Sequence, residues 1–212
     1  MKALVSLWIA ITVSVFAAEP PQESEESSED SQMRSPSPNG RYTMLVARDP
    51  DDEMEKERIE LIELPAKRVL VVLSDPEYMP LYPTRDATLH WFQDSQRVAF
   101  SRGGRRGGTT TIFARKGDGF AEVKLPELPD LPDEPNAAFA KKSKEGFSRG
   151  ITIRDLSFVR WLKSGGVVLE LSNCWGGSSG TWGWHITFTI EIDSHRRATI
   201  KDVVKKEIFD KS

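Results

Sequence analysis

Thr88-Leu-His-Trp-Phe-Gln-Asp-Ser-Gln-Arg-Val-Ala-Phe-Ser101 reads as a strand, a tight polar turn and a second strand. Leu89–Phe92 and Arg97–Ser101 are apolar or aromatic enough to pair, and Gln93–Gln96 is short and polar enough to reverse the chain. Working outward, a glycine-rich loop at Arg102–Gly108 leads to a third strand over Thr109–Arg115. Lys116-Gly-Asp-Gly then turns the chain into a fourth over Phe120–Leu125. Four short strands joined by three connections make one antiparallel meander.

The pattern recurs on both sides. The first copy opens at Asn39-Gly40, a strong hairpin-turn pair, with strands expected over Arg41–Ala47, Arg58–Glu63 and Val69–Leu73. The third runs Ile151–Trp161, turns at Lys163-Ser-Gly-Gly, and continues through Val167–Leu171, a loop at Ser172–Gly183, Trp184–Ile192 and Arg197–Lys201. After Asp202, Val203, Val204, Ile208 and Phe209 stand at near-helical spacing and predict a short packing helix. Between the second and third copies, Leu125–Pro135 is proline-rich and reads as an extended crossing, and Asn136–Lys142 as one or two helical turns. The fold class expected is therefore all-β: propeller-like repeats of antiparallel meander sheets, about three blades, with a short C-terminal helix.

The start of the chain reads differently. Lys2, an apolar run from Ala3 to Phe16, and small residues at Ala17 and Ala18 have the order of a secretory signal peptide over 1–17. The run is short for a spanning helix, so export without stable membrane insertion after cleavage is expected, to the periplasm or outside. Residues 18–38 carry six carboxylates against Arg34 and almost nothing apolar, the composition of a disordered acidic tether. The remaining 39–212, about 170 residues, is enough for one domain with its own core. That part is close to neutral, which together with export disfavours nucleic acid as a partner. Cys174 stands alone, so no internal disulfide is available and a small buried thiol is its expected role.

Ser37-Pro-Asn-Gly-Arg-Tyr, Phe92-Gln-Asp-Ser-Gln-Arg-Val-Ala-Phe-Ser and Leu162-Lys-Ser-Gly-Gly-Val-Val-Leu resemble the WD40-like repeats of TolB-type β-propellers, whose strands follow Ser-Pro-Asp-Gly-Lys/Arg. The resemblance covers nearly the whole folded part and implies a propeller scaffold that binds a protein partner. Closed propellers have at least four blades. Three copies imply further strands in the third loop region, an open arc, or a ring completed by a second chain as a homo-oligomer, and an open arc needs its sheet edges covered.

Two loops carry the candidate binding chemistry. Arg102-Gly-Gly-Arg105-Arg106-Gly-Gly offers three planar guanidiniums for an anionic group, or else a soluble hairpin loop in which glycine permits positive φ. Trp175 and Trp182, in Cys174-Trp-Gly-Gly-Ser-Ser-Gly-Thr-Trp-Gly-Trp-His, offer a stacking surface or else, Trp182 above all, are strand residues facing the core, while Trp184 is expected to face the core. The same segment holds a formal G-x-S-x-G around Ser178 with His185 nearby, but strands flank it on both sides and no helix follows. Asp49-Pro-Asp-Asp-Glu lacks the glycine and terminal Glu of a calcium loop, and His90, His185 and His195 follow no metal-ligand spacing. The expectation is an exported, non-catalytic interaction module of the cell envelope, without cofactor or metal, recognising a protein or an anionic glycan through Arg102, Arg105, Arg106, Trp175 and Trp182. Two alternatives stand beside it: a serine hydrolase using Ser178, and a structural subunit of an envelope assembly.

Overall fold

The computed structural model describes residues 32–48, 57–74, 87–103, 107–129, 152–177 and 180–210. The signal-peptide reading of 1–17, the acidic run, Arg105, Arg106, Ser178 and the helical turns expected at Asn136–Lys142 lie outside them.

Three four-stranded antiparallel sheets follow one another along the chain. Sheet 1 comprises β1 (Gln32–Arg34), β2 (Tyr42–Arg48), β3 (Glu57–Glu63) and β4 (Arg68–Ser74). Sheet 2 comprises β5 (Thr88–Trp91), β6 (Arg97–Arg102), β7 (Thr109–Lys116) and β8 (Gly119–Glu122). Sheet 3 comprises β9 (Thr152–Trp161), β10 (Val167–Gly177), β11 (Gly180–Ile192) and β12 (Ala198–Asp210). Within each sheet the spatial order is the chain order, a plain meander.

The polar tetrads found in the sequence form equivalent turns. Gly40 N–H donates to Ser37 O, Ser95 to Phe92, Gly165 to Leu162, and Arg196 to Asp193, all at 2.9–3.0 Å. The donor residue has positive φ in every case: 68° at Gly40, 58° at Ser95, 82° at Gly165 and 63° at Arg196. This is the tight turn followed by a left-handed residue that suits the twist of a hairpin. In the first two, an Asx contact is added at the same place: Asn39 Oδ1 accepts from Arg41 N–H (3.0 Å) and Asp94 Oδ1 from Gln96 N–H (2.7 Å).

Sheet 2 lies between the other two, which explains its composition. Val98, Phe100 and Phe113 face sheet 1 and share a core with Tyr42, Met44, Val46, Ile59 and Leu61. Ala99, Ile112 and Ala114 face sheet 3 and share a core with Val167, Leu169, Leu171, Ile186, Phe188 and Ile190. A strand covered on both faces reads as a continuous apolar run, and β6 does: Val98-Ala99-Phe100. The alanines on the sheet 3 side leave room for Leu169 and Phe188. Among the described residues neither core joins sheet 1 to sheet 3.

One contact repeats between sheets. Trp91, the last residue of β5, donates Nε1–H to Ser35 O (2.9 Å), and Trp161, the last residue of β9, donates to His90 O (2.9 Å). Donor and acceptor hold the same places relative to their turns, so each sheet is hooked to the one before it identically. Nearby, Tyr42 stacks on Trp91 (5.9 Å) between sheets 1 and 2, and His90 on Phe158 (4.3 Å) between sheets 2 and 3.

Three expectations are corrected. The C-terminal segment is a strand, not a helix: all of Ala198–Asp210 except one bulged residue is in register with β11. Val203 and Val204 are β-branched, and β11 offers a long edge whose hydrogen bonds outweigh a short, weakly amphipathic helix. Ser172–Gly183 is not a loop; β10 runs through Gly177 and β11 starts at Gly180, making one long hairpin. Gln32–Arg34, within the stretch read as tether, pairs with Arg34↔Met44, Met33↔Leu45 and Gln32↔Val46 and supplies the first strand of sheet 1.

Candidate functional site

The three middle hairpins, β2–β3, β6–β7 and β10–β11, occupy equivalent places in their sheets. They lie at the end opposite the polar turns. The arginine loop and the tryptophan hairpin are two of these three, which brings both candidate loops to one end of the stack.

The β6–β7 loop is moored at its described ends. Gly108 O accepts the N–H of Leu156 in β9 (3.0 Å), and Thr110 Oγ1 donates to Leu156 O (2.7 Å) while sharing a hydrogen bond with Ser101 Oγ (3.0 Å). Gly107, with φ of 127°, lies so close to Arg154 that a Cβ there would overlap the Arg154 carbonyl. Glycine at this position therefore serves the positive φ expected from the sequence and, in addition, the close approach of two backbones. On the other side Arg102 Nη1 donates to Ser74 Oγ of β4. Arg102 is half-buried and bridges sheet 2 to sheet 1, so its guanidinium is engaged in holding the fold.

Arg154 is in register with Asn173, and Thr152 with Trp175, so the loop docks two residues from the strand position opposite Trp175. In the β10–β11 ladder Trp175 lies directly opposite Trp182, and Asn173 opposite Trp184. Ile186, Phe188 and Ile190 face sheet 2, and strand alternation carries that face through Trp184 to the positions of Trp182 and Trp175. Trp184 packs partly buried against the sheet 2–3 core, as its place in the strand predicts.

Sequence reasoning missed Asn173. It is 5% exposed and its Oδ1 has no hydrogen-bond partner among the described residues. A buried acceptor without a donor costs about 1–3 kcal/mol, so it marks a place where an added donor would be favoured. Only burial distinguishes this asparagine from any other, and burial depends on the sheet register.

The far face of sheet 3 has separate chemistry. His185 Nδ1 lies 3.2 Å from Glu170 Oε1, an acidic neighbour that no sequence pattern placed there. The Cys174 thiol is raised above its ordinary value, first by burial and then by the charges of Asp155 and Glu170, the direction that disfavours the thiolate. At the opposite end of the stack, Lys124, Leu125, Pro126, Glu127, Arg196, Arg197 and Ala198 line a wide groove of about 640 Å³, with Arg197 held by Asp193 at 3.1 Å. Leu125 and Leu128, the start of the proline-rich crossing, pack on the sheet 2–3 core. Among the described residues no group of three or more His, Cys, Asp or Glu is placed to hold a metal, and no helix is long and apolar enough to cross a membrane. No protein-family model matches the chain, and no curated protein matches it.

Proposed function

We propose that this chain is an exported, non-catalytic binding module whose three sheets are consecutive blades of an open, propeller-like arc. In this reading it takes an anionic glycan at the end where the middle hairpins lie. The blade reading is supported by the meander order, the equivalent turns and the tryptophan-to-carbonyl contact repeated at the same place in successive sheets. Export rests on the leader-like first 17 residues.

The observation that carries the binding reading is the docking of the arginine loop beside the tryptophan hairpin, on the face that alternation assigns to Trp175 and Trp182. Trp175 and Trp182 are cross-strand partners in the ladder, and tryptophan is a residue type on which sugar rings stack. Arg105 and Arg106 supply charge for a carboxylate or sulfate. Arg102, already bonded to Ser74, drops from the ligand set to a supporting place.

The test is titration of the mature protein with uronic-acid and sulfated oligosaccharides beside neutral ones, followed by tryptophan fluorescence. The same titration is run on Arg105→Ser/Arg106→Ser and on Trp175→Ala/Trp182→Ala. Saturable binding to the anionic sugars, weakened about tenfold or more in either variant, is the expected result. No response to any anionic sugar removes the glycan reading, and capture of an envelope protein that depends on the same residues would replace it. Binding that ignores both variants moves the site elsewhere.

A further inference from the structure

Sheet 3 has two edges, and they differ. On β9 the N–H and C=O of Leu156 are bonded to Gly108 and Thr110 of sheet 2. β12 is the outer strand on the other side, 13 residues long, with no strand beyond it among the described residues. Residues 201–206 are all exposed, Val203 at 36% and Val204 at 56%. A long open edge with exposed valines is a template for another strand, and lysines are the usual guard against indiscriminate pairing.

The charges on this strand do more than guard. Around Val204 the sequence is Asp202-Val-Val-Lys-Lys206. A second copy laid antiparallel with Val204 at the centre sets Asp202 opposite Lys206, Val203 opposite Lys205, and Val204 opposite itself. The twofold axis then repeats each contact. Opposite charges directly across a ladder stabilise it, and the lysine stem covers the facing valine. Neighbouring registers are penalised: centring on Val203 faces Lys201 with Lys205, and centring on Lys205 faces that lysine with its own copy. The complementary segment is also delimited. A bulge at Lys201 separates Ile200 from Asp202 in the pairing with β11, and Lys201 Nζ is bound to Glu191 at 3.1 Å. The Asp202 carboxylate lies along the strand, accepting the Val203 N–H at 2.9 Å.

We propose that β12 is a self-recognition edge through which two copies pair antiparallel about a twofold axis at Val204, joining two three-sheet stacks into one assembly. A closed isologous pairing satisfies the edge and leaves no strand to propagate. This surface is distinct from the hairpin end and does not depend on the ligand proposed there.

Charge exchange tests it on the full mature chain. Sedimentation equilibrium is measured for the native protein, Asp202→Lys, Lys206→Asp, an equimolar mixture of these two, and the doubly exchanged chain. Circular dichroism checks that each remains folded. The native chain is expected to dimerise. Each single variant, which replaces two attractive pairs with two like-charge pairs, is expected to do so about tenfold more weakly or worse. The mixture should form a heterodimer, because positions 202 and 206 are then both basic in one chain and both acidic in the other, so every cross-strand pair is attractive again. The double exchange should restore the homodimer. A native monomer across its soluble range overturns the proposal. So does a dimer indifferent to the single reversals, or a mixture that fails to recover.

Discussion

Gly40 and Gly107 both have positive φ, but their surroundings separate them. Nothing lies within 4 Å of a Cβ built on Gly40, whereas one built on Gly107 collides with the Arg154 main chain. Gly40→Ala should therefore cost only the left-handed backbone penalty, about 1 kcal/mol. Gly107→Ala should cost about 3 kcal/mol, because backbone strain is joined by displacement of β9. Urea unfolding of the two variants distinguishes them, and equal losses would contradict the docking of the loop on β9. His90 gives a pH dependence of known sign. Stacked on Phe158 and partly buried, its imidazole is held below the ordinary value of 6.5 by desolvation. The unfolded chain then binds more protons near that pH than the folded one. The contribution is present above 6.5 and lost as pH falls toward the depressed folded value. His90→Gln should flatten the stability profile on the acid side, measured by denaturant midpoint against pH.

At the level of strands and sheets, the inter-sheet hook is the recurring device. Trp91 and Trp161 each close one junction with a single donor aimed at a carbonyl. Trp91→Phe and Trp161→Phe should each lower stability by about 1–3 kcal/mol, from the lost hydrogen bond, the orphaned acceptor and reduced packing. The same denaturant titration reads both, and a change under a few tenths of a kcal/mol in either would show that the hook is incidental. The position has a directional consequence. In sheet 1 the corresponding residue is Pro36, which has no donor, so sheet 1 cannot hook a sheet before it in this manner. In sheet 3 the corresponding acceptor is the carbonyl of Arg160. The first and last sheets of the stack are therefore not equivalent ends.

The whole molecule depends on sheet 2, which belongs to both cores. Leu61 in the first core and Leu169 in the second are each fully buried. Leu61→Ala and Leu169→Ala should each cost about 2–5 kcal/mol. Because sheet 2 transmits either loss to the other junction, both variants should shift one common transition. Circular dichroism and tryptophan fluorescence should then report coincident midpoints. Separate transitions for the two halves would mean that the junctions are energetically independent.

Much of this architecture is legible from residues alone. The tetrads at Asn39-Gly40, Gln93–Gln96 and Lys163–Gly166 declare hairpins, because few residue types tolerate a left-handed position after a tight turn. The alternating and continuous apolar runs then distinguish half-covered strands from the sandwiched β6. The C-terminal strand was not legible, since Val203, Val204, Ile208 and Phe209 fit either period until β11 presents its edge. Nor was the split within the arginine loop, where Arg102 becomes a bridge to Ser74 while Gly107 is pressed against Arg154. Asn173 and the opposition of Trp175 to Trp182 required the register of an extended hairpin that the glycines in the sequence concealed. What the sequence by itself determined was local: strand character, turn chemistry and the repeat. Which sheet lies in the middle, which edge stays open and which polar atom is buried without a partner were decided only by tertiary structure. Those properties belong to surfaces brought together from distant parts of the chain, and no local pattern encodes them.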